Sequence, residues 1–141
     1  MIDPYPEVIK RFPEIASHLC DGDEELPYLY FSYIAWWIES LPRSEISDNL
    51  IRRISAFGDW CCSQPKGVDA SNDLGTILMV GLHENLGGSD NGRTILAKVW
   101  PESYVVTGRE YLTQWLGSVD YERLLMNYKK KHNNKGAGDA E

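Results

Sequence analysis

Apolar residues recur at helical spacing along nearly the whole chain, and this periodicity is the feature that most limits the possible folds. The clearest stretch is 71–86, where one face of a helix would carry Leu74, Ile77, Leu78, Gly81, Leu82 and Leu86. Gly87-Gly88 follows, and we expect a left-handed helix cap there. Alternating polar and apolar runs joined by a hairpin turn are not found. The sequence therefore predicts an all-α fold.

Prolines and glycines divide this pattern into six or seven short helices in a compact bundle, which could be arranged as helical repeats. The expected helices cover about 4–19, 27–41, 44–64, 71–86, 90–100, 107–116 and 119–128. We expect a break at Pro13, because an interior proline removes a backbone hydrogen bond. Thr107 and Glu110 have the spacing of a capping box. Residues 103–106 favour extended structure or a packed loop.

Two of the expected helices have well-defined inward faces. The inward face of the helix over 27–41 would be Tyr30, Tyr33, Ile34, Trp37, Ile38 and Leu41. The inward face of the last helix would be Tyr121, Leu124, Leu125 and Tyr128. Both faces should contribute to the core.

The length of 141 residues fits one helical domain, which we expect to cover residues 1–128. Residues 129–141 have the composition of a flexible, basic, glycine-containing tail, with Lys129, Lys130, Lys131, Lys135, Gly136 and Gly138. The formal charge of the whole chain is −7. Because four lysines lie in the tail, the domain itself carries 19 acidic and 10 basic side chains, a net charge of −9.

The start of the chain and its cysteines favour a cytoplasmic protein. Met1-Ile2-Asp3-Pro4 does not begin a basic segment followed by an apolar run, so we expect no secretory signal. The longest apolar stretch, 28–38, is far short of the ~20 residues that a membrane span needs. Cys20, Cys61 and Cys62 cannot all pair within the chain, and reduced thiols fit best.

Motifs that carry catalysis or bind metals are not found in the sequence. His83-Glu84 begins a zinc pattern, but position 87 is glycine, so we expect His83 at a partly exposed helix end and no metal. Adjacent Cys61 and Cys62 lack the spacer of a metal or redox pair; we expect Cys61 in the core and Cys62 more exposed. Nucleophile elbows, phosphate loops and dinucleotide fingerprints are absent from the sequence. We predict no enzyme and no cofactor, with a hydrolase built from distant residues as the alternative.

An acidic loop and one tryptophan are the candidate partner-binding residues. The loop contains Asp21, Asp23, Glu24 and Glu25, and such a surface attracts basic partners. Adjacent Trp36 and Trp37 cannot both face the core; with Trp37 inside, an exposed Trp36 would be a binding anchor. Direct binding of nucleic acid is disfavoured, because only the tail is basic. An ordinary acidic surface is the alternative interpretation.

Residues 73–86 (DLGTILMVGLHENL) and residues 27–41, followed by 54–57, resemble a family of small bacterial helical domains. In that family an apolar run ending in Glu-x-Leu precedes a glycine turn, although His83 departs from the apolar residue expected there. Its members resemble immunity proteins, which neutralise secreted polymorphic toxins by direct binding. The resemblance implies an immunity protein that occludes the active site of a cognate toxin or binds another basic protein. A phage-type inhibitor or nucleic-acid mimic of a defence nuclease is the alternative binding role.

Overall fold

The computed structural model describes the backbone of residues 2–139 and the side chains of residues 2–129. Every regular element in this part of the chain is a helix, which confirms the all-α prediction. The α-helices are α1 Tyr5–Arg11, α2 Pro27–Ser40, α3 Asp48–Ser63, α4 Leu74–Ile77, α5 Glu84–Leu86, α6 Asp90–Val99, α7 Glu102–Thr107, α8 Arg109–Leu116 and α9 Ser118–Asp139. Three 3-10 helices, Pro13–His18, Asp23–Glu25 and Arg43–Glu45, and one π-helical segment, Leu78–His83, complete the set. Within residues 2–139, no helix has the length and apolar character needed to cross a membrane.

The first expected helix is interrupted before Pro13, as predicted. α1 ends at Arg11, and Phe12 leaves the helical region with φ of −132° and ψ of 63°. The chain then continues as a 3-10 helix from Pro13. Phe12 and Ile15 on either side of the break are both fully buried. The proline therefore redirects the chain without taking either side chain out of the core.

The expected helix over 71–86 is present, but its middle is π-helical. The helix begins at Leu74 and is capped by Asp73, whose Oδ2 accepts a hydrogen bond from the Thr76 amide at 3.0 Å. The π-helical segment follows α4 directly and packs against α2. Gly81 is needed at this crossing, because a Cβ there would lie 2.9 Å from the Phe31 Cβ. Close approach of the two backbones therefore depends on this glycine.

Two expectations about helix ends are wrong. Gly87 has φ of −61°, so it is not a left-handed cap; it lies so close to Leu116 that a Cβ would meet that side chain at 2.5 Å. Thr107 does not cap the next helix, because its hydroxyl donates to the Ser103 carbonyl oxygen at 2.6 Å and it ends α7.

Residues 103–106 are helical rather than extended, and the buried Val105 packs this short helix against the core. Tertiary contacts have overridden local preference here.

α9 closes the bundle with the inward face that the sequence predicts: Tyr121, Leu124, Leu125 and Tyr128 are all buried. The Tyr121 hydroxyl donates to the Val105 carbonyl oxygen at 2.8 Å, and the Tyr128 hydroxyl donates to that of Trp100 at 2.6 Å. The backbone of α9 continues to Asp139. The side chains of the expected tail from residue 130 onward lie outside the described residues, and its flexibility stays a prediction.

The inward face of α2 is shifted from the predicted one. Tyr30, Ile34 and Ile38 are fully buried as expected, and Phe31 and Ala35 are buried as well. The other predicted residues, Tyr33, Trp37 and Leu41, are only half-buried against the core. α2 is therefore covered on two sides, by the π-helical segment and by the 3-10 helix Pro13–His18.

Candidate functional site

The acidic loop precedes α2 and is held by its own backbone. Asp23 Oδ2 accepts from the Cys20 amide at 2.8 Å, and Glu24 Oε2 accepts from the Gly22 amide at 3.0 Å. Asp21 and Glu25 are exposed, as is Glu24. Among the ion pairs of residues 2–129, none includes a carboxylate of this loop. The negative charge of the loop is thus left facing solvent.

Trp36 lies on the outer side of α2 with 46% of its surface exposed. The Tyr33 ring supports it in an edge-to-face contact, with centroids 5.2 Å apart. Trp37 lies on the opposite side of α2 and is partly buried against the core. The Arg53 Cζ lies over its ring, 5.5 Å from the ring centroid. Trp37 inside and Trp36 outside is one of the two arrangements that the sequence allows. Its role as an anchor stays a prediction.

The acidic loop and Trp36 lie within the span of a single interface. Trp36 is nine residues along α2 from Pro27, which corresponds to about 14 Å of helix. A protein interface of ordinary size buries about 800 Å² on each partner, roughly 30 Å across. One partner is therefore large enough to reach both features.

His83 is buried rather than partly exposed, so that expectation is wrong. It retains 6% of its surface, and its ring meets Trp100 edge-on with centroids 5.4 Å apart. Neither ring nitrogen has a hydrogen-bond partner among the described residues. Burial lowers the pKa of His83 to about 4, so it is neutral at physiological pH. The cause lies in the π-helical turn, which is wider than an α-turn and broadens the buried face.

Cys61 and Cys62 differ in burial, and the described side chains include no cluster of metal ligands. Cys61 is buried and Cys62 exposed, as expected. Burial, followed by the neighbouring Cys62, raises the pKa of the Cys61 thiol to about 12, which makes it a poor nucleophile. Within residues 2–129, no three His, Cys, Asp or Glu side chains are grouped so that they could hold a metal ion.

A polar cleft of about 600 Å³ lies between α6, α9 and the loop after α2. It is lined by Arg43, Asp90, Asn91, Arg93, Thr94, Arg123, Met126 and Asn127. Its three arginines come from three different elements, separated by at least 30 residues of sequence. Sequence reasoning missed this cleft, because no local pattern joins residues that far apart.

Arg93 forms the floor of the cleft and is almost fully buried, with 3% of its surface exposed. One terminal nitrogen donates to the Gly87 carbonyl oxygen at 2.9 Å and to Asp120 Oδ1 at 3.2 Å. The other donates to Asp90 Oδ1. This hydrogen bond and the charge of Arg93 hold the pKa of Asp90 below its usual value, with smaller contributions from Arg43 and Arg123. The guanidinium is therefore fixed from three sides.

Asn91 joins the cleft to the end of α2. Its Nδ2 donates to the carbonyl oxygens of Ile38 and Leu41 at 3.0 and 2.9 Å. Leu41 is the C-cap residue of α2, and its carbonyl oxygen lies at the end of the helix, where carbonyls lack intrahelical partners. The Ile38 oxygen also accepts from the Leu41 amide at 3.2 Å, so Asn91 is its second donor. The side chain of α6 thus completes a helix that lies 50 residues earlier in the sequence.

A second aromatic surface covers α7 and α8. Tyr111 and Trp115 are in contact, with centroids 4.8 Å apart, and Tyr104 packs on Trp100 at 5.3 Å. Tyr104 and Tyr111 are 37% and 44% exposed. In α8 itself, Leu112 is the fully buried residue.

Comparison of the chain with protein-family models, with curated proteins and with solved structures found no match. Two surfaces carry charged side chains without an ion-pair partner among residues 2–129. They are the acidic loop before α2 and the cleft beyond the other end of that helix.

Proposed function

We propose that the chain is an immunity protein that binds a basic toxin and occludes its active site. The observation that best supports this proposal is the pairing of an exposed Trp36 with an acidic loop that has no cationic partner among residues 2–129. Exposed carboxylates without a cationic partner cost the folded protein little in water, and their charge remains available to another molecule. Their partner would be a surface of opposite charge.

The two features would serve different stages of binding. Long-range attraction by the loop raises the association rate, and it is screened beyond about 8 Å at physiological salt. Trp36 would instead slow dissociation, because a large ring desolvated at the centre of an interface contributes much of the binding energy. Contact with Tyr33 already restricts the Trp36 ring, which lowers the entropy lost on binding.

The alternative role of a nucleic-acid mimic is less well supported. Such a mimic needs carboxylates spread along an extended face, since it copies a charge that repeats along a duplex. The four acids instead share one short loop around the 3-10 helix Asp23–Glu25. A compact negative loop suits a single basic pocket such as the active site of a toxin.

The first test is whether the protein binds and silences a toxin. We would co-express the chain with the product of the neighbouring gene, where a cognate toxin would be encoded, and measure growth and complex formation. Rescue of growth together with a purified complex would support the proposal. A neighbouring product that is neither toxic nor bound would contradict it.

The second test distinguishes the contribution of the acidic loop to the association rate from that of the net charge of the protein. Replacing Asp21 and Asp23 by Asn, and Glu24 and Glu25 by Gln, should lower the association rate by roughly tenfold at low salt and flatten its salt dependence. The matched control removes four exposed acids elsewhere: Glu45→Gln, Asp48→Asn, Asp59→Asn and Glu110→Gln. Equal effects in both quadruple variants would show that only net charge matters.

The third test concerns Trp36. Trp36→Ala should raise the dissociation rate by roughly tenfold or more, because it removes an anchor of about 2 kcal/mol. Tyr111→Ala, an exposed aromatic residue on α8, is the control. A complex that is lost with Tyr111→Ala and kept with Trp36→Ala would move the interface to α7 and α8.

A further inference from the structure

The polar cleft contains more positive charge than its own carboxylates use. Arg43, Arg93 and Arg123 line it together with Asp90, and Asp120 lies beneath Arg93. Arg93 is occupied by its three acceptors. The other two guanidinium groups are the ones that matter for a ligand.

Arg43 and Arg123 flank the cleft and retain donors. Arg43 is exposed and forms no ion pair with any other residue between 2 and 129. Arg123 is 62% exposed at its side chain, and its nitrogen lies 3.8 Å from Asp120 Oδ1, beyond hydrogen-bond distance. A guanidinium offers five N–H donors in a planar fork that matches the oxygens of a carboxylate or phosphate.

From this arrangement we infer that the cleft binds a small molecule through a carboxylate or phosphate group, held between Arg43 and Arg123. Arg93 supplies a fixed positive charge beneath the anion. The volume of about 600 Å³ exceeds what one such group needs and lies in the range of small-molecule sites. Thr94, Met126 and Asn127 line the remaining space, where the organic part of the ligand would lie.

Asp90 limits the affinity of this site. Its side chain is 88% exposed and carries its negative charge at the cleft, while Arg93 binds one of its oxygens. Glu39 lines an adjoining depression that shares Asp90, Arg93 and Arg123. A simple anion must therefore compete with these carboxylates, and we expect millimolar rather than micromolar binding of inorganic phosphate. The inference does not rest on the proposed toxin-binding function, because the residues that line the cleft include neither Trp36 nor any residue of the acidic loop.

The experiment is an NMR titration with inorganic phosphate at constant ionic strength, with chloride as the reference salt. Saturable shifts confined to residues around Arg43, Asp90 and Arg123 support the site. A parallel titration with succinate distinguishes the two sources of the anion, since the better ligand indicates a phosphorylated or a carboxylated compound. Shifts that do not saturate, or that chloride reproduces, would overturn the proposal.

Variants make the test specific. Arg43→Gln and Arg123→Gln should each weaken phosphate binding by roughly fivefold to tenfold, because each removes a charge-assisted contact. Asp90→Asn should tighten binding by several-fold, because it removes the competing charge and keeps an oxygen for Arg93. Arg52→Gln, an exposed arginine of α3 outside the cleft, is the control. The proposal fails if folded Arg43→Gln and Arg123→Gln both bind phosphate as tightly as Arg52→Gln does.

Discussion

At its N-terminal end α2 follows a loop whose carboxylates bond to amides two or three residues away, whereas its C-terminal end is completed by Asn91 from 50 residues further along. The first set of contacts shapes only the loop. The second set joins α2 to α6, and Arg93 extends it to α9 through Asp120. The carboxylates at one end are thus available to a partner, while at the other end the charge of Arg93 is used by the fold.

Among substitutions at the two ends of α2, replacement of the buried Arg93 should change the free energy of unfolding most. Arg93→Met would leave the Gly87 carbonyl oxygen and Asp120 without their donor, and we expect a loss of roughly 2–4 kcal/mol in the free energy of unfolding. Glu24→Gln in the acidic loop should change it by less than about 0.5 kcal/mol. Urea denaturation of both variants measures this contrast.

A double variant shows how the loss arises. If Arg93→Met is destabilising because the Asp120 carboxylate loses its hydrogen bond from Arg93, then adding Asp120→Asn should recover part of the loss. Equal stability of Arg93→Met and the wild-type protein would mean that the network adds nothing. The contrast between the two ends of α2 would then disappear.

What the sequence could predict follows the same division between local and distant contacts. The break at Pro13 and the opposite directions of Trp36 and Trp37 depend on neighbours within a few residues, and the sequence indicated both. The contact of Arg93 with Asp120 spans 27 residues and has no local signature. The candidate binding residues of the loop were visible in the sequence, but the cleft was not.

The π-helical segment shows a further reason for failure. Its stripe of leucines was predictable, yet His83 was expected outside that stripe and is buried beside Trp100. A wider turn changes which residues share a face, and the apolar spacing of the sequence is read at 3.6 residues per turn. Burial of a histidine without hydrogen-bond partners among the described residues also contradicts the usual preference for satisfied polar groups.

Burial of His83 beside Trp100 makes the stability of the fold sensitive to pH. The folded pKa of about 4 lies below the value of 6.5 for an exposed histidine, so the unfolded chain binds the proton first. Stability should therefore be complete above about pH 6.5 and fall as the pH drops towards 4, by up to roughly 3 kcal/mol. Denaturant unfolding at a series of pH values measures this slope.

A variant identifies the group responsible. His83→Leu should abolish the slope between about pH 6.5 and 5, where the carboxylates bind few protons. It should keep the loss below about pH 5 that comes from carboxylates such as Asp90, whose pKa is lowered chiefly by its hydrogen bond with Arg93. If the slope above about pH 5 persists in His83→Leu, another group is the source.

Removing the distant cap of α2 should have a smaller effect. Asn91→Ala leaves the Leu41 carbonyl oxygen without its donor and removes one of the two donors to the Ile38 oxygen, and we expect a loss of about 1–2 kcal/mol in the free energy of unfolding. Asn127→Ala is the matched control, because that amide bonds only within its own helix, to the Arg123 carbonyl oxygen. Thermal unfolding should separate the two variants. Equal melting temperatures would show that water replaces the Asn91 side chain at no cost.

The smallest expected effect concerns the opposite end of α2, where the N-cap residue is Leu26 and no side chain caps the helix. Leu26→Ser would add a hydroxyl that accepts a hydrogen bond from a free amide of the first turn, which stabilises helices by about 0.5–1 kcal/mol. Little burial is lost, because Leu26 is 51% exposed. Ser47→Ala in α3 is the reverse change, since Ser47 Oγ accepts from the Leu50 amide at 3.2 Å, and it should cost a similar amount. A higher free energy of unfolding for Leu26→Ser would show that a local contact alone can stabilise the N-terminal end of α2. A lower value would mean that the Leu26 side chain itself stabilises the protein. This end of α2 would then depend on the rest of the fold more than its hydrogen bonds indicate.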